Sequence, residues 1–197
     1  MSLMRRRDLL QRSASALLAA WMAKAGLSAH AANGEASGID LIRLAVQRAE
    51  EGTLLSYEVR VDLPADLEQA LGKGISVVFV AEAEVFRKRW YWTDESRGHA
   101  VRRWRLAYQP LTRQWRLNQE GLSLHFPQLS EALDAIQKTE RWRIAEAISP
   151  KDDKDHYVDF AFRLDTDELP RPLQIGVGGQ SGWKMGVERR ISASPPR

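Results

Sequence analysis

The chain has 197 residues, a formal net charge of +3 and no cysteine. That length suits one domain with a real hydrophobic core, and the missing cysteine excludes disulfides, thiolate metal sites and a cysteine nucleophile. The first 31 residues hold Arg5, Arg6, Arg7, Arg12 and Lys24 against Asp8 alone, a balance of +4; taken from the whole-chain +3, this leaves −1 for residues 32–197, so composition gives no argument for nucleic-acid binding.

Arg5-Arg6-Arg7 is a basic start, Ser13 to Ala23 a moderately apolar core, and Ala29-His30-Ala31 a small-x-small cleavage site before Ala32. Together they predict a signal peptide over 1–31, cut after Ala31, and a periplasmic protein. The run Arg6-Arg7-Asp8-Leu9-Leu10-Gln11 has the twin-arginine pattern, and Lys24 near the cut fits that route; general secretory export is the alternative. No later apolar stretch reaches bilayer-spanning length, so the mature chain is expected to be soluble, without a transmembrane helix.

Residues 32–38 form a short flexible leader, and 39–191 a single β-rich domain. Ile39 to Arg48 predicts a strand, and Glu50-Glu51-Gly52 a turn. Leu55, Tyr57, Val59, Val61 and Leu63 alternate with Ser56, Glu58, Arg60 and Asp62, the pattern of a half-buried strand. Pro64 to Leu71 predicts a short helix, with Leu67, Ala70 and Leu71 as its apolar face, Asp62 as its cap and Gly72 at its end. Ile75 to Phe86 follows, apolar on both faces in its first half, hence a central strand, with a bulge near Glu84 to Arg87. It runs into Arg87-Lys88-Arg89-Trp90-Tyr91-Trp92 and a polar loop from Thr93 to Gly98. Basic residues beside aromatics bind nucleic acid or sugars; more often the arginines lie over structural tryptophans, and that is the expectation here.

The stretch from Ile75 to Phe126 organises the chain as an antiparallel meander. Tyr108-Gln109-Pro110-Leu111-Thr112 predicts one turn, because proline cannot donate to a central ladder, and Asn118-Gln119-Glu120-Gly121 predicts the next. Folded there, Trp104 meets Leu117, Leu106 meets Trp115, and Leu117 meets Leu122. One face then collects Trp104, Leu106, Tyr108, Trp115, Leu117, Leu122, Leu124 and Phe126, and a one-residue slip would expose the whole set. The other face carries Arg103, Arg105, Gln114, Arg116 and Ser123. It is either a basic docking patch or a solvated face balanced by Glu82 and Glu84 on the preceding strand.

Ser130 to Lys138 predicts a second helix, capped by Ser130, with Leu129, Leu133 and Ile136 on one side. Arg141 to Ile148 is a strand with Trp142 and Ile144 inward. Pro150 to His156 is a charged loop, and Val158, Phe160, Phe162 and Leu164 mark another strand. Leu169-Pro170-Arg171-Pro172-Leu173 is rigid and extended, and Gly176 to Gly182 is a loose turn. Trp183, Met185, Val187 and Ile191 mark the last strand, and 192–197 is a tail. The count is about nine strands and two short helices without βαβ alternation. The fold class is therefore mainly β, an antiparallel β-sandwich or bent sheet.

The mature chain shows no recognisable reaction centre. It has no Gly-x-Ser-x-Gly elbow, phosphate loop or His-Glu-x-x-His. Asp152-Asp153-Lys154-Asp155-His156 alone has the flavour of a metal site. Lys154 sits inside it and it lacks the glycine of a calcium loop, so a solvated turn is expected, and neither metal nor cofactor. His99 is placed in an exposed turn and His125 on the polar side of its strand. Glu82 and Glu84 share one strand face, as ordinary alternation dictates, rather than forming a glycosidase pair. A hydrolase would need a pocket that brings a histidine and a carboxylate together.

Trp90-Tyr91-Trp92, Arg103-Trp104-Arg105-Leu106, the segment from Tyr108 to Arg116, and Leu164-Asp165-Thr166 with Leu169-Pro170-Arg171-Pro172 resemble the proteobacterial domain-of-unknown-function family numbered 4390. The resemblance runs from about Asp40 to Arg190, and Gly176 to Gly182 departs from it. The family has no assigned reaction. Its members are often encoded beside a membrane-bound nitrogen-regulation type sensor kinase and its response regulator. The resemblance thus implies an extracytoplasmic accessory of a two-component system, a non-enzyme that binds the kinase or another envelope protein. On that expectation Arg103, Arg105 and Arg116 form the docking face. The alternative is a ligand-binding module for a sugar, peptidoglycan fragment or lipid, with Trp90, Tyr91 and Trp92 as a stacking platform of exposed, coplanar rings.

Overall fold

The computed structural model describes residues 38–149, 152, 155–169 and 183–193. The expected signal peptide, most of the leader, the proline-rich and glycine-rich segments and the end of the tail lie outside them. Among the described residues nine strands form two antiparallel sheets, and no helix is long and apolar enough to cross a membrane. In chain order the elements are β1 (Ile39–Ala49), β2 (Gly52–Val61), α1 (Ala65–Gly72), β3 (Val77–Arg87), β4 (Glu95–Gln109), β5 (Gln114–Gln119) and β6 (Leu122–Phe126). They continue with α2 (Leu129–Gln137), β7 (Lys138–Ala145), β8 (His156–Leu164) and β9 (Gly186–Ser192), with a 3-10 turn at Thr166–Glu168. One sheet has the order β1-β2-β7 and the other β6-β5-β4-β3-β8-β9. The expectation of a mainly β antiparallel fold with nine strands and two helices is met.

Period-two patterning explains the core. Leu55, Tyr57, Val59 and Val61 of β2 face Phe79, Ala81 and Ala83 of β3 and Phe160, Phe162 and Leu164 of β8, all within one buried cluster. Tyr57 bridges the sheets, its ring 4.9 Å from Phe160 and 5.9 Å from Phe162. β3 is central as expected, since Val77 to Ala81 are buried on both faces and β3 pairs with both β4 and β8. Its bulge falls where the pattern weakened, between Val85 and Phe86. The sheets touch where β4 lacks a side chain: a Cβ on Gly98 would lie 2.4 Å from that of Ala145 on β7.

The meander keeps its predicted faces but slides by two residues. Trp104 pairs with Gln119, Leu106 with Leu117, and Tyr108 with Trp115; beyond the next turn, Leu117 pairs with Leu124. The turns decide this. Pro110 to Arg113 closes the first hairpin with Arg113 at φ 54°, and Glu120-Gly121 closes the second with φ 47° and 88°. Two consecutive positive-φ residues match the backbone twist of the flanking strands, so a two-residue loop replaces the expected four-residue one. Trp104, Leu106 and Leu117 are buried, while Leu122 and Leu124, expected on the core face, are exposed because β6 lies at the edge of the sheet.

The helix caps also differ. α1 starts after Pro64 and α2 after Gln128, neither with a side-chain cap, so Asp62 and Ser130 do not cap. α1 ends at Gly72 as expected, and the glycine in the left-handed region is Gly74, at φ 88°. The apolar face of α1 is buried as expected, by Leu67, Ala70 and Leu71, whereas on α2 Ala132 is buried with Leu133 and Ile136, and Leu129 is half-buried. α2 runs directly into β7, which begins three residues earlier than expected, at Lys138. A positive-φ Arg141 at a bulge lets Thr139, Trp142 and Ile144 all turn inward.

Candidate functional site

The outer face of the six-stranded sheet gathers the charges. Arg103 and Arg105 project from it, but not as a free patch: Arg103 donates to Asp165 at 3.0 Å and Arg105 to Glu168 at 3.0 Å. Their carboxylates come from the 3-10 turn after β8 and from the residue that caps it. Glu82 and Glu84, the expected partners, are engaged elsewhere. Glu82 meets His99 at 2.8 Å and Arg163 at 3.4 Å, and Glu84 accepts from the Ser96 hydroxyl at 2.7 Å. Arg116 is half-buried on β5, opposite Ala107 and His125. Sequence reasoning missed these pairings because they join residues about 60 or more apart across the sheet.

Beside them Glu82, Glu84, Asp159, Glu188 and Arg190 line a shallow hollow of about 380 Å³. Arg190 forks onto Asp159 at 2.6 and 2.7 Å, a bidentate geometry that holds both groups. His99 lies in β4, not in a turn, and its bond to Glu82 supplies a histidine–carboxylate pair. The hydroxyl of Ser96 donates its hydrogen bond to Glu84. Among the described residues no group of three His, Cys, Asp or Glu side chains is disposed to hold a metal ion. Of the acidic run before β8, His156 is not in a solvated turn. It is buried at the start of β8, its Nδ1 3.1 Å from the Arg48 guanidinium and its Nε2 3.7 Å from Asp152.

The β3–β4 loop is built differently. Trp90, Tyr91 and Trp92 are 93%, 80% and 75% exposed, so they do not pack under the arginines as structural tryptophans. Uncovered aromatic rings in sequence are unusual on a soluble domain. The base beneath them is firmly held. Lys88 N–H donates to the Asp155 carbonyl at 2.9 Å, and Arg89 N–H to Asp94 at 3.1 Å. Tyr157 donates to the other Asp94 oxygen at 2.7 Å, and Arg89 and Arg97 both reach Glu95. Phe86 stacks on Tyr157, which Arg190 covers from 4.1 Å. The tip rings are exposed but not coplanar: Trp90 and Tyr91 meet edge-on at 71°.

Charge holds this base together. The Tyr157 hydroxyl, then the Arg89 N–H, keep the Asp94 carboxyl below its ordinary range, and the Arg89 guanidinium does the same for Glu95. Burial, then the bond to Asp94, pushes the Tyr157 hydroxyl from 10 up to about 12. A depressed carboxyl stabilises above its ordinary range and loses that contribution as pH falls through its folded value. Tyr157 contributes below pH 10 and loses its contribution as pH rises towards about 12. Hydrogen exchange should therefore show the Arg89 amide protected at neutral pH and released in acid. Asp94→Asn should abolish that acid step, and an unchanged pH profile in the variant would refute the assignment.

A family model described as a domain of unknown function, DUF4390, matches residues 36–192. Neither a curated protein nor a solved structure matches the chain.

Proposed function

The chain belongs to the DUF4390 family, a domain of unknown function, and from that premise we propose that it is an exported, non-catalytic interaction domain of the periplasm. The observation that carries this reading is the β3–β4 tip, where three aromatic side chains stand uncovered on a hydrogen-bonded base. A surface of that kind is completed by another molecule. The N-terminal 31 residues, with their basic start, apolar core and Ala-x-Ala end, support export by the twin-arginine or general secretory route. The partner proposed from the resemblance is a membrane-bound sensor kinase of a two-component system. Arg103 and Arg105 are a secondary contact, since a partner would have to displace Asp165 and Glu168 from them.

The test is a crosslinking pull-down from periplasmic and membrane fractions of the native host, using the chain tagged at its C-terminus. The kinase is expected with the wild-type chain and lost with the Trp90→Ser, Tyr91→Ser, Trp92→Ser triple variant. Equal recovery by both would remove the tip from the contact. The second reading, a ligand-binding module, is favoured by the exposure of the rings, and the edge-on 71° geometry speaks against a flat sugar platform.

A further inference from the structure

We propose that the Trp90-Tyr91-Trp92 tip seats in the headgroup layer of an anionic bilayer and holds the β-domain against the membrane surface. This rests on the reading of the tip as the contact surface and assigns that surface its partner. Three features converge on lipid.

The first is the choice of side chains. Tryptophan and tyrosine pair an apolar ring with an N–H or O–H donor, and that amphipathy places them at the level of the lipid headgroups. The tip carries two indoles and a phenol and no aliphatic residue among them. The second is ring geometry. Trp90 and Tyr91 diverge at 71°, which a flat ligand cannot cover. The bilayer interface has no fixed shape to match, so it accepts rings at any orientation.

The third is charge. Residues 87–97 contain Arg87, Lys88, Arg89 and Arg97 against Asp94 and Glu95, a balance of +2. The two acids are turned into the base, Asp94 by Tyr157 and Arg89, Glu95 by Arg89 and Arg97. Arg89 and Arg97 remain about two-fifths exposed while holding Glu95, and Lys88 is exposed beside them. Basic residues flanking interfacial aromatics draw a domain to anionic lipid within a Debye length of the surface. The loop is also an extremity: it opens the 15-residue β4, and the Pro110 to Arg113 turn closes the other end. At about 3.3 Å per residue the two turns stand roughly 50 Å apart, at opposite ends of β4. A domain seated this way stands beside the extracytoplasmic part of a membrane kinase.

The experiment is co-sedimentation of the purified full chain with vesicles of phosphatidylglycerol mixed with phosphatidylcholine. The wild-type chain is expected to bind, and the triple serine variant to bind at least about tenfold more weakly, with an unchanged thermal transition. Both proteins carry the same N-terminal 31 residues, so the difference reads the tip alone. Lys88→Glu should weaken binding to the mixed vesicles and not to phosphatidylcholine alone. Because the chain has no cysteine, Tyr91→Cys carrying an environment-sensitive dye reports only from the tip. Its emission should shift to the blue with vesicles, while the same dye at Leu111→Cys, at the far end of β4, should not respond. Equal vesicle binding by wild type and triple variant overturns the proposal. A wild-type chain that ignores vesicles yet crosslinks to an envelope protein through the tip also overturns it, and leaves the interaction reading standing. Failure of both assays sinks both.

Discussion

Replacing Trp104 with alanine is expected to cost about 3–5 kcal/mol of stability. The indole is 2% exposed. It lies on β4 opposite Phe79, with its ring 6.2 Å from Phe162. Phe162 touches Tyr57 of the other sheet in turn, so Trp104 belongs to the aromatic chain that joins the two layers. β4 is hydrogen-bonded to β3 on one side and β5 on the other, and it cannot move inward to fill the space. The cavity term therefore adds to the lost transfer energy. Against a typical total of about 5–15 kcal/mol, the variant keeps little reserve. Urea unfolding should show a lower midpoint with an unchanged slope, and Trp104→Phe should recover part of the loss. A loss below about 1 kcal/mol would show that the neighbours close over the site and that Trp104 is no keystone.

Removing the Arg48 side chain should cost about 1–3 kcal/mol. Its Nη2 bonds His156 Nδ1 at 3.1 Å, and its Nε donates to the Ala193 carbonyl at 2.5 Å. The Ala193 N–H donates in turn to the His156 carbonyl at 2.8 Å. One guanidinium thus ties β1 of the small sheet to β8 and to the residue after β9 of the large one. With Nδ1 accepting, the ring proton belongs on Nε2, facing Asp152. Arg48→Ala strips a buried ring nitrogen of its donor, whereas adding His156→Leu removes the group that needed it. The double variant should be less destabilised than the sum of the singles, with a coupling of about 0.5–3 kcal/mol. Additive losses in a thermal double-mutant cycle would show that the two side chains do not act together.

His156 shows why part of this chain was not legible. Aspartates around it give the sequence a solvated look. It is buried, and its ring partner is Arg48, 108 positions away, which no local pattern encodes. The tip was visible as Trp90-Tyr91-Trp92 beside Arg87-Lys88-Arg89, yet the same letters fit arginines packed over structural tryptophans. Only the turning of Asp94 and Glu95 into the base, with the rings left outside, separates the two readings. The arginine row shows the same limit. Alternation put Arg103 and Arg105 on one face, but their partners Asp165 and Glu168 depend on β8 lying beside β3.

Strand count, both helices, the central position of β3 and the face of nearly every meander residue were legible in the residue pattern, because strand side chains alternate with period two. That pattern could not choose between registers that differ by two residues, since both put the same set inward. The backbone of the turns made that choice, with Glu120 and Gly121 both at positive φ. Strand order was likewise decided by tertiary structure: burying Phe79, Phe160 and Phe162 against Tyr57 needs β3 and β8 side by side beneath β2. That arrangement left β6 at an edge, with Leu122 and Leu124 in water, and left the aromatic tip as the surface the fold does not cover.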